Sequence, residues 1–141
     1  MTFSGINYGA VLVAAVAAWL ASAAWYMSLG RVWTAALGKT PEQMAAERTK
    51  PGAYLPFVYV FVADLIIAWM LAGLLGHLGS GQVNLQNGLV SAAFCWFGFI
   101  LTTMVANYTF AGRDTRLLLI DAGNWLLVLI VIGAVVGAMG V

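Results

Sequence analysis

The chain has 141 residues, of which 63% are hydrophobic and only 8% charged, whereas a soluble domain carries about 25% charged residues. Its net charge is +1 and it has no basic tract, which argues against nucleic acid as a partner because nothing is present to neutralise phosphates. The single cysteine, Cys95, excludes an intrachain disulfide and a cysteine-built zinc site.

Four apolar runs follow in chain order: Tyr8 to Leu29, Tyr54 to Leu75, Asn87 to Phe110 and Leu117 to Met139. Each is near or above the roughly 20 residues that a helix needs to cross a bilayer. Backbone groups in lipid must satisfy their own hydrogen bonds, so helices are the expected form. The reading is an all-α integral membrane protein, a single four-transmembrane-helix bundle over residues 1–141. A cleavable signal peptide is not expected, because the first run is too long and Met1 to Ile6 holds no lysine or arginine.

The first link, Gly30 to Ala53, holds Arg31, Lys39, Arg48 and Lys50, and the third holds Arg113 and Arg116. The second link has His77 and no lysine or arginine. All six cations therefore share one side, which the positive-inside rule places in the cytoplasm, with both termini outside. The expected location is the inner (cytoplasmic) membrane. Within the first link, Thr40 reads as an N-cap, Pro41 as the first helical residue and Gln43 as the other half of a capping box. A short cytoplasmic helix over Pro41 to Thr49 follows, closed by Pro51.

Small residues recur at helix-packing spacing. They are Ala10, Ala14, Ala18 and Ser22 in the first span, and Asp64, Ala68, Ala72 and Gly76 in the second. Ser91, Cys95, Gly98 and Thr102 share a face of the third, and Gly133 and Gly137 form a GxxxG pair in the fourth. On a helical wheel Asp121, Asn124 and Val128 fall on one side of the fourth span, and Ala122, Leu126, Gly133 and Gly137 on another. The first side can serve a hairpin with the third span. The glycine side then remains either for the first span or for a second copy.

Asn107 and Asp121 lie at similar depth, about 5 Å from the turn that joins the last two spans, and Thr103 and Asn124 at about 10 Å. A tight hairpin predicts two polar rungs, Asn107 with Asp121 and Thr103 with Asn124, each worth roughly 0.6–2 kcal/mol. The alternative is a polar pocket open to the cytoplasm and rimmed by Arg113 and Arg116. Asp64 is ten residues in from Tyr54, at about the midplane. An Asp there costs roughly 2.5–3.5 kcal/mol to insert, which twelve Leu, Ile, Val and Phe residues of the span can outweigh. Asp64 should face the bundle, with Trp19, Thr102, Thr103 and Asn124 as donors at comparable depth. It is either a protonated acid gluing helices or a functional group.

The other polar candidates carry less. His77 reads as an interfacial residue and Cys95 as a small packing residue. Trp19, Trp69 and Trp96 fill the interior, where they could also flank a lipid-like or pigment ligand. Trp25, Tyr26, Tyr54 and Tyr108 suit an interfacial aromatic belt.

The stretches "WYMSLGRVW" at the end of the first span, "WFGF", "NYTFAGR" and "IDAGNW" resemble the small four-span bacterial proteins grouped as domain of unknown function 1761. By that likeness Trp25, Tyr26, Gly30, Trp33, Trp96, Gly98, Asn107, Phe110, Gly112, Arg113 and Gly123 fall on recurrent family positions. Ala111 stands where the family pattern implies a Glu, and Asn124 where it implies an aromatic residue or histidine. The resemblance implies the four-span topology and no biochemical activity.

No metal-ligand set, nucleophile–base pair or phosphate loop is legible, so neither a cofactor nor catalysis is expected. The leading reading is a non-enzymatic protein that oligomerises or serves as an accessory subunit of a membrane complex, with the lipid bilayer as its constant partner. The second is a small proton-coupled transporter that uses Asp64 and works as a dimer. The third is a membrane enzyme with a cytoplasmic-side pocket. The candidate polar residues are Asp64, Thr103, Asn107, Arg113, Asp121 and Asn124, and the candidate packing residues Ala68, Ala72, Gly98, Gly133 and Gly137.

Overall fold

The computed structural model describes residues 5–79 and 81–140; Met1 to Ser4, on which part of the signal-peptide expectation falls, lie outside them. All regular structure among the described residues is helical. The elements are α1 (Tyr8–Ala36), α2 (Pro41–Arg48), α3 (Leu55–Gly76), α4 (Leu85–Cys95), a π-helical turn (Trp96–Leu101), α5 (Thr102–Phe110) and α6 (Thr115–Met139). Four stretches are long and apolar enough to cross a membrane: α1, α3, the continuous run Leu85–Phe110, and α6. The end of the bundle that carries α2 and the turn between α5 and α6 holds every lysine and arginine, and is called the basic end below.

Side-chain caps define several helix starts. Asn7 accepts from Ala10 N–H at α1, Asn84 from Asn87 N–H at α4, and Asp114 from Arg116 N–H at α6. At α2 both halves of the Thr40–Gln43 capping box are formed, which satisfies two donors that a helix start leaves free. Asp114 and Glu47 sit outside the long helices. Hydrogen bonds from Arg116 and Lys50 hold their carboxyls below the ordinary range.

Two boundaries differ from expectation. α1 does not stop at Leu29 but continues through Gly30 to Ala36, because one interior glycine costs a helix only about 1 kcal/mol. It turns at Gly38, whose φ of +71° favours glycine. The third span is not one α-helix. It widens to a π turn at Trp96–Leu101, where the Thr102 hydroxyl bonds to Gly98 O and the Thr103 hydroxyl to Phe99 O.

α6 is the most buried of the long helices and Leu85–Phe110 the least. α6 packs on α1, α4 and α3; α1 also packs on α3, and α3 on α4. The core joining them is built from Ala14, Ala15, Ala18, Ala68, Ala72 and Ala92 around Leu71, Leu75, Val128, Ile132 and Val136. So many alanines let the backbones come close, which is how helices gain contact where lipid offers no hydrophobic drive.

The GxxxG pair faces α4. A β-carbon at Gly133 would lie 2.4 Å from Gly88 O, and one at Gly137 2.5 Å from Asn84 O. The two sides of α6 are thus used the other way round from the hairpin expectation. The glycine side takes α4, and the side bearing Asp121 and Asn124 turns to α1. The glycine contact allows the closest backbone approach and so sets which neighbour lies there. Gly98, predicted to pack, is exposed, and a β-carbon on it would meet nothing within 4 Å. The π turn breaks the α-helical spacing after Cys95 and rotates Gly98 and Thr102 off the face that Ser91 begins.

Candidate functional site

One segment of α6, Ile120 to Asn124, gathers side chains from three other parts of the chain. The Asp121 carboxylate accepts from three neutral donors. Tyr26 OH and Trp33 Nε1–H reach Oδ1 at 2.7 and 3.0 Å, and Tyr108 OH reaches Oδ2 at 2.7 Å. Tyr26 and Trp33 stack edge to face with centroids 5.3 Å apart, so each ring holds the other in its donating pose. Tyr26 and Trp33 come from α1 and Tyr108 from α5. The carboxylate therefore ties three helices together.

The backbone around Asp121 is held as well. Trp25 Nε1–H donates to Ile120 O at 3.0 Å and Trp96 Nε1–H to Ala122 O at 2.8 Å. These carbonyls already belong to a helix, and a carbonyl has a second lone pair to offer. Gly123 has no side chain because the Trp25 ring occupies that space; a β-carbon there would lie 2.7 Å from Trp25 Cζ2. One turn further from the basic end, the Ser22 hydroxyl donates to Asn124 Oδ1 at 2.8 Å, with both residues buried. Buried polar groups need such partners.

The predicted rungs do not form. Asn107 is exposed, Thr103 is exposed and bonded within its own helix, and the partners of Asp121 and Asn124 are Tyr26, Trp33, Tyr108 and Ser22. α5 touches α6 only lightly: Thr103 and Asn107 turn outward, and Tyr108 is the α5 side chain that reaches Asp121. The rim suggested for a pocket is not a rim. Arg116 is engaged with Asp114 at 2.7 Å, and Arg113 is exposed. A shallow groove of about 500 Å³ does lie on α1 and α6, lined by Ala21, Ala24, Trp25, Ser28, Leu29 and Leu127. It contains none of the candidate polar residues.

Asp64 stands apart. It is completely buried, and neither of its oxygens has a hydrogen-bond partner among the described residues. Of its suggested donors, Trp19 donates to Phe57 O, the Thr102 and Thr103 hydroxyls bond carbonyls of the π turn, and Asn124 pairs with Ser22. Ala68 and Ala72 are buried beside it on the same stripe of α3. Cys95 is half-buried against the core, and His77 is exposed as the C-cap of α3. Among the described residues no group of three His, Cys, Asp or Glu side chains is placed to hold a metal.

Apart from Ser22, the residues that meet at Ile120–Asn124 are those of the four stretches singled out in the sequence: Trp25, Tyr26 and Trp33 of the first, Trp96 of the second, Tyr108 of the third, and Asp121, Gly123 and Asn124 of the fourth. The model of the family described as "Protein of unknown function (DUF1761)" matches residues 9–137, nearly the whole chain. The chain belongs to the DUF1761 family. No curated protein and no solved structure matches it. The DUF1761 match thus takes in every residue of the Asp121 cluster.

Sequence reasoning missed Trp25, Tyr26, Trp33, Trp96 and Tyr108 as partners of this segment. Their signal was present. Each carries one donor that must be satisfied when the ring is half-buried, and Asp121 and two helix carbonyls were the acceptors within reach.

Proposed function

We propose that this DUF1761 protein is a non-enzymatic, multi-pass protein of the bacterial inner membrane that oligomerises or serves as an accessory subunit of a membrane complex. The observation that carries this reading is the Asp121 cluster, whose acceptors are spent on donors of the same chain. A carboxylate engaged by three fixed donors is a structural tie, not a base waiting for a substrate. Beside it, the span half from Trp96 to Phe110 has no buried residue and presents Phe97, Phe99 and Phe110 outward. That face is free for another membrane helix. Native mass spectrometry of gently solubilised membranes should show a species heavier than one chain with lipid. A single chain alone would overturn the subunit reading.

The same proposal places the basic end in the cytoplasm and both termini outside, because all six cations lie at that end. In a Cys95→Ala background, a cysteine at Gly81 should react with an impermeant maleimide from outside, and a cysteine at Ala46 should not. The opposite pattern would invert the topology. One observation favours a second reading, a small proton-coupled carrier working as a dimer: the unpartnered carboxyl of Asp64 in mid-span.

A further inference from the structure

Asp64 lies about 14 Å along α3 from Leu55 and about 18 Å from Gly76, near the middle of the span. α3 is packed by α1, α6 and α4. The titratable and charged groups on those helices are Tyr8, Tyr26 and Arg31 on α1, Arg116 and Asp121 on α6, and Cys95 on α4; on α3 itself there is Tyr59. None bonds to Asp64, and neither ion pair found among the described residues involves it. A charged carboxylate buried with no cation and no donor is strongly disfavoured. The two buried or half-buried acids of the long helices thus differ in kind. Asp121 is tied by three donors, whereas Asp64 ties nothing.

Its position supplies the second observation. The buried residues of α3 are Asp64, Ala68, Leu71, Ala72 and Leu75, and none lies between Leu55 and Ala63. On the third span, likewise, none lies between Trp96 and Phe110. α1 and α6 stay buried further, to Ser22 and Ala36 on one and to Asn124 and Leu117 on the other. Towards the basic end the fully buried residues therefore come from α1 and α6 alone, with Phe61 and Ile100 packed half-buried beside them. Asp64 is the first buried residue that α3 presents from that end. Trp19 bonds to Phe57 O, which places Ser22 and its partner Asn124 nearer the basic end than Asp64. Asp121 and the Asn124–Ser22 pair thus lie on the basic-end side of it.

We propose that Asp64 is a proton-binding site that exchanges with the solution at the basic end. In the loading step a hydrated proton adds to one carboxylate oxygen and leaves a neutral acid and water. In the unloading step water takes the proton back. This is compatible with a subunit as well as with a carrier, and it rests on the proposed topology only in saying which compartment the basic end faces.

Infrared difference spectroscopy on the full chain in sealed vesicles tests it. Vesicle orientation is read independently by labelling a cysteine placed at Ala46. The carboxylic C=O band that Asp64→Asn removes should bleach reversibly when pH is raised on the basic-end side. It should not respond promptly to the same step on the other side, and it should shift within minutes in D2O. A band indifferent to pH and unexchanged over hours would show a sealed acid and overturn the site. A prompt response from the opposite side would overturn the route. If Asp64→Asn does not fold, dicyclohexylcarbodiimide, which attacks protonated carboxyls within the membrane, replaces it. Wild-type Asp64 should carry the adduct, with a yield that falls at least tenfold as pH rises. No adduct, or a yield independent of pH, would contradict the proposal.

Discussion

Replacing Gly133 and Gly137 together with Ile should collapse the single chain, not merely disperse an assembly of chains. At Gly133 the first added carbon meets Gly88 O at 2.4 Å and the Ala92 β-carbon at 2.8 Å; at Gly137 it meets Asn84 O at 2.5 Å. These neighbours are mostly backbone of α4 and cannot swing aside, so α4 must move. Overpacking costs about 1–3 kcal/mol per site, so the pair is expected to lose about 2–6 kcal/mol. Against a total stability of roughly 5–15 kcal/mol, that is enough to unfold much of the population. Gly73→Ala is the control: nothing lies within 4 Å of its β-carbon, and alanine is the better helix former. Denaturation of the monomer in detergent measures both. A stable monomer that has only lost self-association would mean that the glycine face serves a second copy.

Asp121→Leu should be nearly as damaging. It leaves Tyr26, Trp33 and Tyr108 without their acceptor, and an abandoned donor costs about 1–3 kcal/mol where water cannot replace the partner. The site is half-buried, so the expected loss is about 3–5 kcal/mol. Tyr108→Phe removes one bond and keeps the ring, and is expected to cost about 1–2 kcal/mol. Thermal unfolding of purified protein should rank Asp121→Leu well below Tyr108→Phe, and Tyr108→Phe below wild type. Equal stability of all three would mean that the cluster ties nothing.

Depth along the helices was legible in the sequence, and rotation about them was not. The four apolar runs and the Thr40–Gln43 box are written in local pattern and reappear with small shifts at their ends. Tyr108, the neighbour of Asn107, reaches Asp121 while Asn107 itself is exposed; depth says nothing about which way a side chain points when every neighbouring surface is equally apolar. The long helices are apolar nearly all round, so hydrophobic periodicity cannot orient them. What orients α6 is the steric demand of Gly133 and Gly137 against Gly88, a contact between residues 45 and 49 positions apart. Trp33 was out of view for a simpler reason. Reading Gly30 as the end of the first span put Trp33 in a loop, while the continuing helix carries it back to Asp121. The π turn leaves no trace in hydropathy, and it is what turns Gly98 outward.

The Asp121 carboxylate is a structural tie, held by donors of its own chain. A double-mutant cycle between Tyr26→Phe and Asp121→Asn, read by unfolding free energy, tests it most directly. Residues in direct contact couple by about 0.5–3 kcal/mol. The 2.7 Å bond between Tyr26 OH and Asp121 Oδ1 predicts a coupling of at least about 1 kcal/mol, within that range. Effects that add within about 0.3–0.5 kcal/mol, the behaviour of independent sites, would contradict it and leave Asp121 free for another role.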